Sequence, residues 1–169
     1  MKPITFRCSG CGEMHEGLPE QAFLEPDYIY ALEKTEKEVR AKTSDDLCML
    51  DENDFFIRCV LQIPIVGEET PFGWGIWVSA SKENFWRYAE LFRDDRETEM
   101  VPWFGWVSNR LPFYDDTLKL KTNVYPQGGG KRPLVKLEPT NHLLSVHQQQ
   151  GMPLDLAIQI ALPKLHQET

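Results

Sequence analysis

Asp54-Phe55-Phe56-Ile57-Arg58-Cys59-Val60-Leu61-Gln62-Ile63-Pro64-Ile65-Val66 is the stretch that decides the architecture. Phe55, Ile57, Cys59, Leu61, Ile63 and Ile65 occupy alternate positions, so an extended backbone projects all of them to one face. A helix would scatter the same side chains around its circumference. A strand is therefore predicted over 54–66, with Arg58 and Gln62 on an opposite face that is partly wet. Upstream, the turn Asp51-Glu52-Asn53-Asp54 joins it to Leu47–Leu50 as a hairpin partner. Downstream, Trp74, Ile76 and Val78 alternate in a second strand. Gly73 and Gly75 on its other face leave room for a bulky neighbour or a close backbone approach.

Outward from this centre the pattern alternates between helix and strand. Tyr28, Ala31, Leu32 and Val39 predict one helix over Pro26 to Lys42, closed by the turn cluster Thr43-Ser44-Asp45-Asp46. Ser81 is placed to cap a helix whose apolar positions are Phe85, Tyr88, Ala89 and Phe92. Trp103 to Leu111 and Leu118 to Tyr125 read as extended, and in the second the lysines alternate with apolar side chains. Gln127-Gly128-Gly129-Gly130-Lys131 is a hairpin turn before a last strand at Leu134 to Glu138. Pro153 opens a final helix striped by Leu154, Ala157, Ile158, Ala161, Leu162 and Leu165, with Pro163 expected to break or kink its end. Short connections between most strands imply a largely antiparallel sheet carrying two or three helices. The expected fold class is α+β with an N-terminal Cys/His knuckle. A single domain over 1–169 is expected, with the knuckle at 1–20, the sheet region and one inserted helix at 45–140, and the C-terminal helix at 152–166.

Composition narrows the function classes. The chain has 169 residues, 41% apolar and 26% charged, enough for a core without disulfide staples. Eighteen Lys and Arg against 26 Asp and Glu give a net charge of -8. Phosphate backbones and anionic membranes repel such a chain, so neither nucleic acid nor a membrane is an expected partner. No apolar run approaches the ~20 residues of a spanning helix. With no apolar signal segment after Met1, four cysteines are expected as reduced thiols in the cytoplasm.

Cys8-Ser9-Gly10-Cys11-Gly12 with His15 carries the clearest chemistry. A C-x-x-C turn lets two thiolates face one ion, and the glycines free backbone N–H groups to bond the sulfurs. His15 supplies an imidazole nitrogen. Cys48 is the preferred fourth ligand, because Cys59 falls among apolar side chains on the core face. The expectation is a structural zinc held by Cys8, Cys11, His15 and Cys48, set against four plain reduced thiols. A thioredoxin-like reading fails on context, since Gly12, Gly17 and Pro19 oppose the helix that such a motif opens.

Five tryptophans are many for this length. Trp74 belongs to the core, but Trp77 and Trp103-Phe104-Gly105-Trp106 cannot all share one buried face. Trp103 and Trp106, with Asn109 and Arg110 after them, are the candidate ligand- or partner-binding residues, the arginine as a bidentate anion holder. The plainer reading buries the rings and pairs Arg110 with Asp115 or Asp116 on the surface. No nucleophile elbow, H-E-x-x-H or phosphate-cradling loop is present, and no catalytic residue is assigned.

The ordered set Cys8-Ser9-Gly10-Cys11-Gly12, Asp45-Asp46-Leu47-Cys48, Trp74-Gly75-Ile76-Trp77-Val78-Ser79, Phe104-Gly105-Trp106, Asn109-Arg110-Leu111-Pro112 and Leu137-Glu138-Pro139-Thr140 resembles the bacterial family known as domain of unknown function 2199. The resemblance extends over nearly the whole chain. It implies cysteines at the positions of Cys8, Cys11 and Cys48, and a glycine at that of Cys59. It carries no activity. The expected function is a non-enzymatic binding module with a structural zinc and a protein or small-molecule partner. The alternatives are an acidic immunity-type protein that neutralises a basic toxin, and an enzyme working through zinc or through Arg110, His142 and carboxylates.

Overall fold

The computed structural model describes residues 1–167, so positions 168 and 169 of the expected domain lie outside the described residues. The chain opens with strands β1 (Thr5–Arg7), β2 (Met14–Glu16) and β3 (Gln21–Ala22), then helices α1 (Asp27–Tyr30) and α2 (Lys34–Arg40). Strands β4 (Ala41–Thr43), β5 (Leu47–Leu50), β6 (Asp54–Ile63) and β7 (Phe72–Ala80) lead to helix α3 (Lys82–Arg93). Strands β8 (Trp103–Trp106), β9 (Lys121–Tyr125) and β10 (Leu134–Leu137) precede helices α4 (Leu143–Gln150) and α5 (Leu154–Leu165). The architecture is α+β with mostly antiparallel pairing; β3 on β7 and β10 on β6 are parallel.

The alternating stretch does what its pattern demands. Ile57, Cys59, Leu61 and Ile63 lie opposite Val78, Ile76, Trp74 and Phe72 of β7, and all of them enter the main core. Leu47–Leu50 is the hairpin partner, paired with Asp54–Ile57. The strand stops at Ile63 because Pro64 has no amide hydrogen for the ladder.

β6 and β7 each serve two neighbours along one edge. On β6, β5 occupies the first half and β10 the second, where the Val60 N–H donates to the Pro133 carbonyl at 2.8 Å. On β7, β3 occupies the first half, and β8 arrives at the second through the Val78–Val107 bridge. The Ser108 N–H donates to the Trp77 carbonyl at 2.9 Å beside that bridge. Strands β6, β7, β8, β9 and β10 thereby form a closed ring around the main core. Closure requires Gly105, since a Cβ there would collide with the Ser79 carbonyl oxygen and the Val78 side chain. Gly75 has the same role under β3, with the Ala22 Cβ 3.1 Å from the point a Cβ would occupy.

Both faces of the β6–β7 pair are covered. Phe56, Trp77, Cys48, Leu50 and Ile29 form a second, smaller cluster on the outer face, under the α1 segment. Arg58 is therefore half-buried, drier than its alternation suggested. The helix predicted over Pro26 to Lys42 is two short helices. Leu32 turns inward between them, Glu33 restarts the chain with a capping box to Glu36, and Val39 points to solvent.

The Ser81 cap and α3 follow the prediction, with Phe85, Tyr88 and Leu91 buried. Helix α4 was not predicted, because its stretch reads as polar. His142 caps it by accepting from the Leu144 N–H. Gln148 of α4 donates to the Val135 carbonyl and accepts from the Leu137 N–H, supplying β10 with strand-like hydrogen bonds from a side chain. Helix α5 continues past Pro163 to Leu165 and buries Ala157, Ile160, Ala161 and Leu165. Among the described residues no helix is long and apolar enough to cross a membrane.

Candidate metal centre

The N-terminal knuckle is the loop of the β1–β2 hairpin. The Cys8 N–H donates to the Glu13 carbonyl at 2.8 Å, and the Gly12 N–H to the Cys8 carbonyl at 2.9 Å. Gly12 sits at φ 76° with open space around it, so its glycine is required by backbone conformation. The Gly10 N–H points at the Cys8 sulfur from 3.3 Å. Together these bonds aim both cysteine side chains at one side of the loop.

The end of α5 arrives at the same point. His166 Nε2 lies 3.4 Å from Cys8 Sγ, and the ligand atoms of Cys8, Cys11 and His166 all lie within 4.8 Å of one another. The His166 ring is seated over Gly10, where a Cβ would approach its Cε1 to 2.7 Å. On the opposite side His15 Nε2 lies 3.2 Å from Cys11 Sγ, its ring stacked on Phe6 at 5.7 Å. Tetrahedral zinc, with Zn–S of about 2.3 Å and Zn–N of about 2.0 Å, spaces adjacent ligand atoms about 3.4–3.8 Å apart. The sulfur–nitrogen contacts are within a few tenths of an ångström of that spacing. Cys8 and Cys11 of the hairpin tip and His166 from the end of α5 therefore lie close enough to bind a metal ion, while His15 touches the group through Cys11 alone.

Hydrogen bonding favours the ligating form of the buried thiol. The Cys11 backbone N–H, then the His166 ring, bring the Cys8 thiol down to about 6, against an opposing effect of burial. Cys48 is placed elsewhere. The β5 alternation turns it with Leu50 into the outer cluster, where its sulfur contacts the Thr43 hydroxyl at 3.3 Å and burial raises its pKa. Cys59 lies in the main core as its strand position required, and burial pushes its thiol far up. His166 is the candidate ligand that the sequence reading missed. It stands 158 residues from Cys8, and nothing local to it marks a site. Its one signal is a position just past the C-terminus of an amphipathic helix, an end that attracts cationic or metal-ligating groups.

A protein-family model described as "uncharacterized protein conserved in bacteria", DUF2199, matches residues 7–152. The chain belongs to the DUF2199 family. The matched span includes Cys8, Cys11 and His15, while α5 and the His166 that follows it lie beyond the span. No curated protein and no solved structure matches the chain.

The other candidate residues of this DUF2199 chain divide by burial. Trp103 stacks obliquely on Tyr88 in the main core. Asn109 is fully buried and acts as a clip: its Oδ1 accepts from the Trp77 N–H at 2.8 Å, and its Nδ2 donates to the Glu25 carbonyl at 2.9 Å. Both are removed from any binding face. Trp106 remains 40% exposed, with Phe104 packed edge-on against it. Arg110 is exposed and pairs with Asp116 at 3.3 Å and Asp27 at 3.8 Å, the plainer of the two roles considered. His142 is a helix cap, and His147 is bonded to the Tyr114 hydroxyl at 2.9 Å.

Proposed function

We propose that this DUF2199 protein is a non-enzymatic binding module whose N-terminal hairpin and C-terminal helix are fastened together by a structural zinc ion. Cys8, Cys11, His15 and His166 would be the ligands, with His166 in the role first given to Cys48. The observation that carries the reading is the convergence of Cys8, Cys11 and His166 within 4.8 Å, from segments at opposite ends of the fold. Two thiolates with two imidazoles suit zinc, which accepts both ligand types in a tetrahedron. Four protein ligands fill that tetrahedron and leave no position for a reactive water, which favours a fastening role over a catalytic one. The binding face would be the exposed surface around Trp106 and Arg110, with a protein or small-molecule partner.

Metal analysis of the purified protein is the test. One equivalent of zinc is expected, falling to near zero in Cys8→Ser and markedly reduced in His166→Ala and His15→Ala. Less than about a tenth of an equivalent in the unaltered protein sinks the reading.

A further inference from the structure

The seam where β7 meets β8 carries a half-open cavity of about 470 Å³, within the range of small-molecule sites. It is lined by the buried Leu50 and Phe56, by the rings of Tyr28 and Trp106, and by the exposed Asp54 and Lys119. Tyr28 and the Trp106 backbone are held before any ligand arrives. Tyr28 is stacked on Phe56 at 5.8 Å. The Trp106 backbone is held from both sides, its N–H donating to Ser79 Oγ at 2.9 Å and its carbonyl accepting from Ser108 Oγ at 3.0 Å. The indole itself is braced edge-on by Phe104 at 5.0 Å and by the Lys121 ammonium at 5.9 Å, and a braced ring loses less entropy on binding.

Lys119 adds a separate observation. It holds a left-handed backbone at φ 64°, with its N–H donating to the Val107 carbonyl at 2.8 Å. That conformation is strained for a non-glycine residue, and glycine or asparagine would hold the turn with less strain. Strained backbone of this kind concentrates where a side chain is needed for more than folding. Among the described residues neither Lys119 nor Asp54 has an ion-pair partner. The cavity thus offers the rings of Tyr28 and Trp106, the second already with the Lys121 ammonium over it at 5.9 Å, together with the charges of Lys119 and Asp54.

We infer that this cavity binds a planar aromatic acid, with its ring between Tyr28 and Trp106, its carboxylate on Lys119 and a ring-borne donor on Asp54. The inference rests on reading the chain as a binding module and not on the metal. The probe is 4-aminobenzoate, titrated calorimetrically into the full chain as purified, with benzoate, aniline and acetate as controls. Saturable one-site binding is expected for 4-aminobenzoate. It should be weaker for benzoate and aniline, which each lack one polar group, and absent for acetate. Lys119→Gln should weaken binding about tenfold, Trp106→Ala should abolish it, and Lys136→Gln should leave it unchanged. In the unaltered protein the ligand should shift the Trp106 indole N–H resonance, a readout that needs no variant. No saturable binding below about 10 mM overturns the inference, as does affinity indifferent to Lys119→Gln. Zinc content measured on the same samples keeps the two ideas apart: a zinc-loaded chain that ignores the probe refutes the cavity and leaves the metal centre standing.

Discussion

Gly10 and Cys48 are the two positions at which single atoms decide between readings of the metal centre. A methyl group on Gly10 would press on the His166 ring, so Gly10→Ala is expected to loosen that ligand. Competition with a chromophoric chelator should show zinc leaving the variant faster while the rest of the fold persists. Cys48→Ala should keep full zinc stoichiometry, because its sulfur faces the outer cluster, and should lower stability by about 1 kcal/mol from the small void. A variant that loses its zinc would instead return Cys48 to the ligand set. Cys8 and Cys11 were legible as neighbours in the sequence because a C-x-x-C turn is a local pattern, and His15 was placed beside Cys11 for the same reason. Choosing between Cys48 and His166 needed to know which face of β5 meets which core, and alternation alone gives a strand two faces without saying where either lies.

At the level of elements, the strands and α3 were legible, and the exceptions have definite causes. Five alternating apolar residues, Phe55 to Ile63, leave β6 no other conformation that buries them together. The α1–α2 break was hidden because Leu32 and Val39 fit a helical period, whereas the small outer cluster uses only the first. Helix α4 carries few apolar residues since it covers β10 largely through hydrogen bonds from Gln148. His147 on that helix gives a pH test. Burial lowers its pKa, so the unfolded chain binds the extra proton more readily than the folded one. Its contribution is intact above the ordinary histidine value of 6.5 and is lost progressively as the pH falls below it. Chemical denaturation across pH 5 to 7.5 should show this decline, and His147→Gln should flatten it. Gly105→Ala, which drives a methyl group into the β7 backbone, should cost about 2–3 kcal/mol, seen as a thermal midpoint roughly 5–10 °C lower.

For the whole molecule, a metal held at the proposed centre would join the β1–β2 hairpin to the end of α5. A ligand bound only by the folded state adds to stability by mass action, about 4 kcal/mol at a thousandfold excess over its dissociation constant. Stripping zinc with a chelator should therefore lower the thermal midpoint by about 10 °C or more. Hydrogen exchange should rise first in residues 5–16 and the last turns of α5, with the strand ring still protected. Equal deprotection throughout would mean the metal supports the entire fold and not its two ends. The α+β architecture was legible from turn lengths and alternation. The circular path of the strands was not, since it depends on a backbone approach that only the missing side chain of Gly105 reveals. That circle has one more consequence. Joined to β9 and to β7, β8 offers little unsatisfied backbone to a second molecule, and prising it from β7 would present two lengths of naked peptide ready to zip onto neighbouring copies. The damage from a bulky residue at position 105 should then appear as concentration-dependent clumping as well as easier melting.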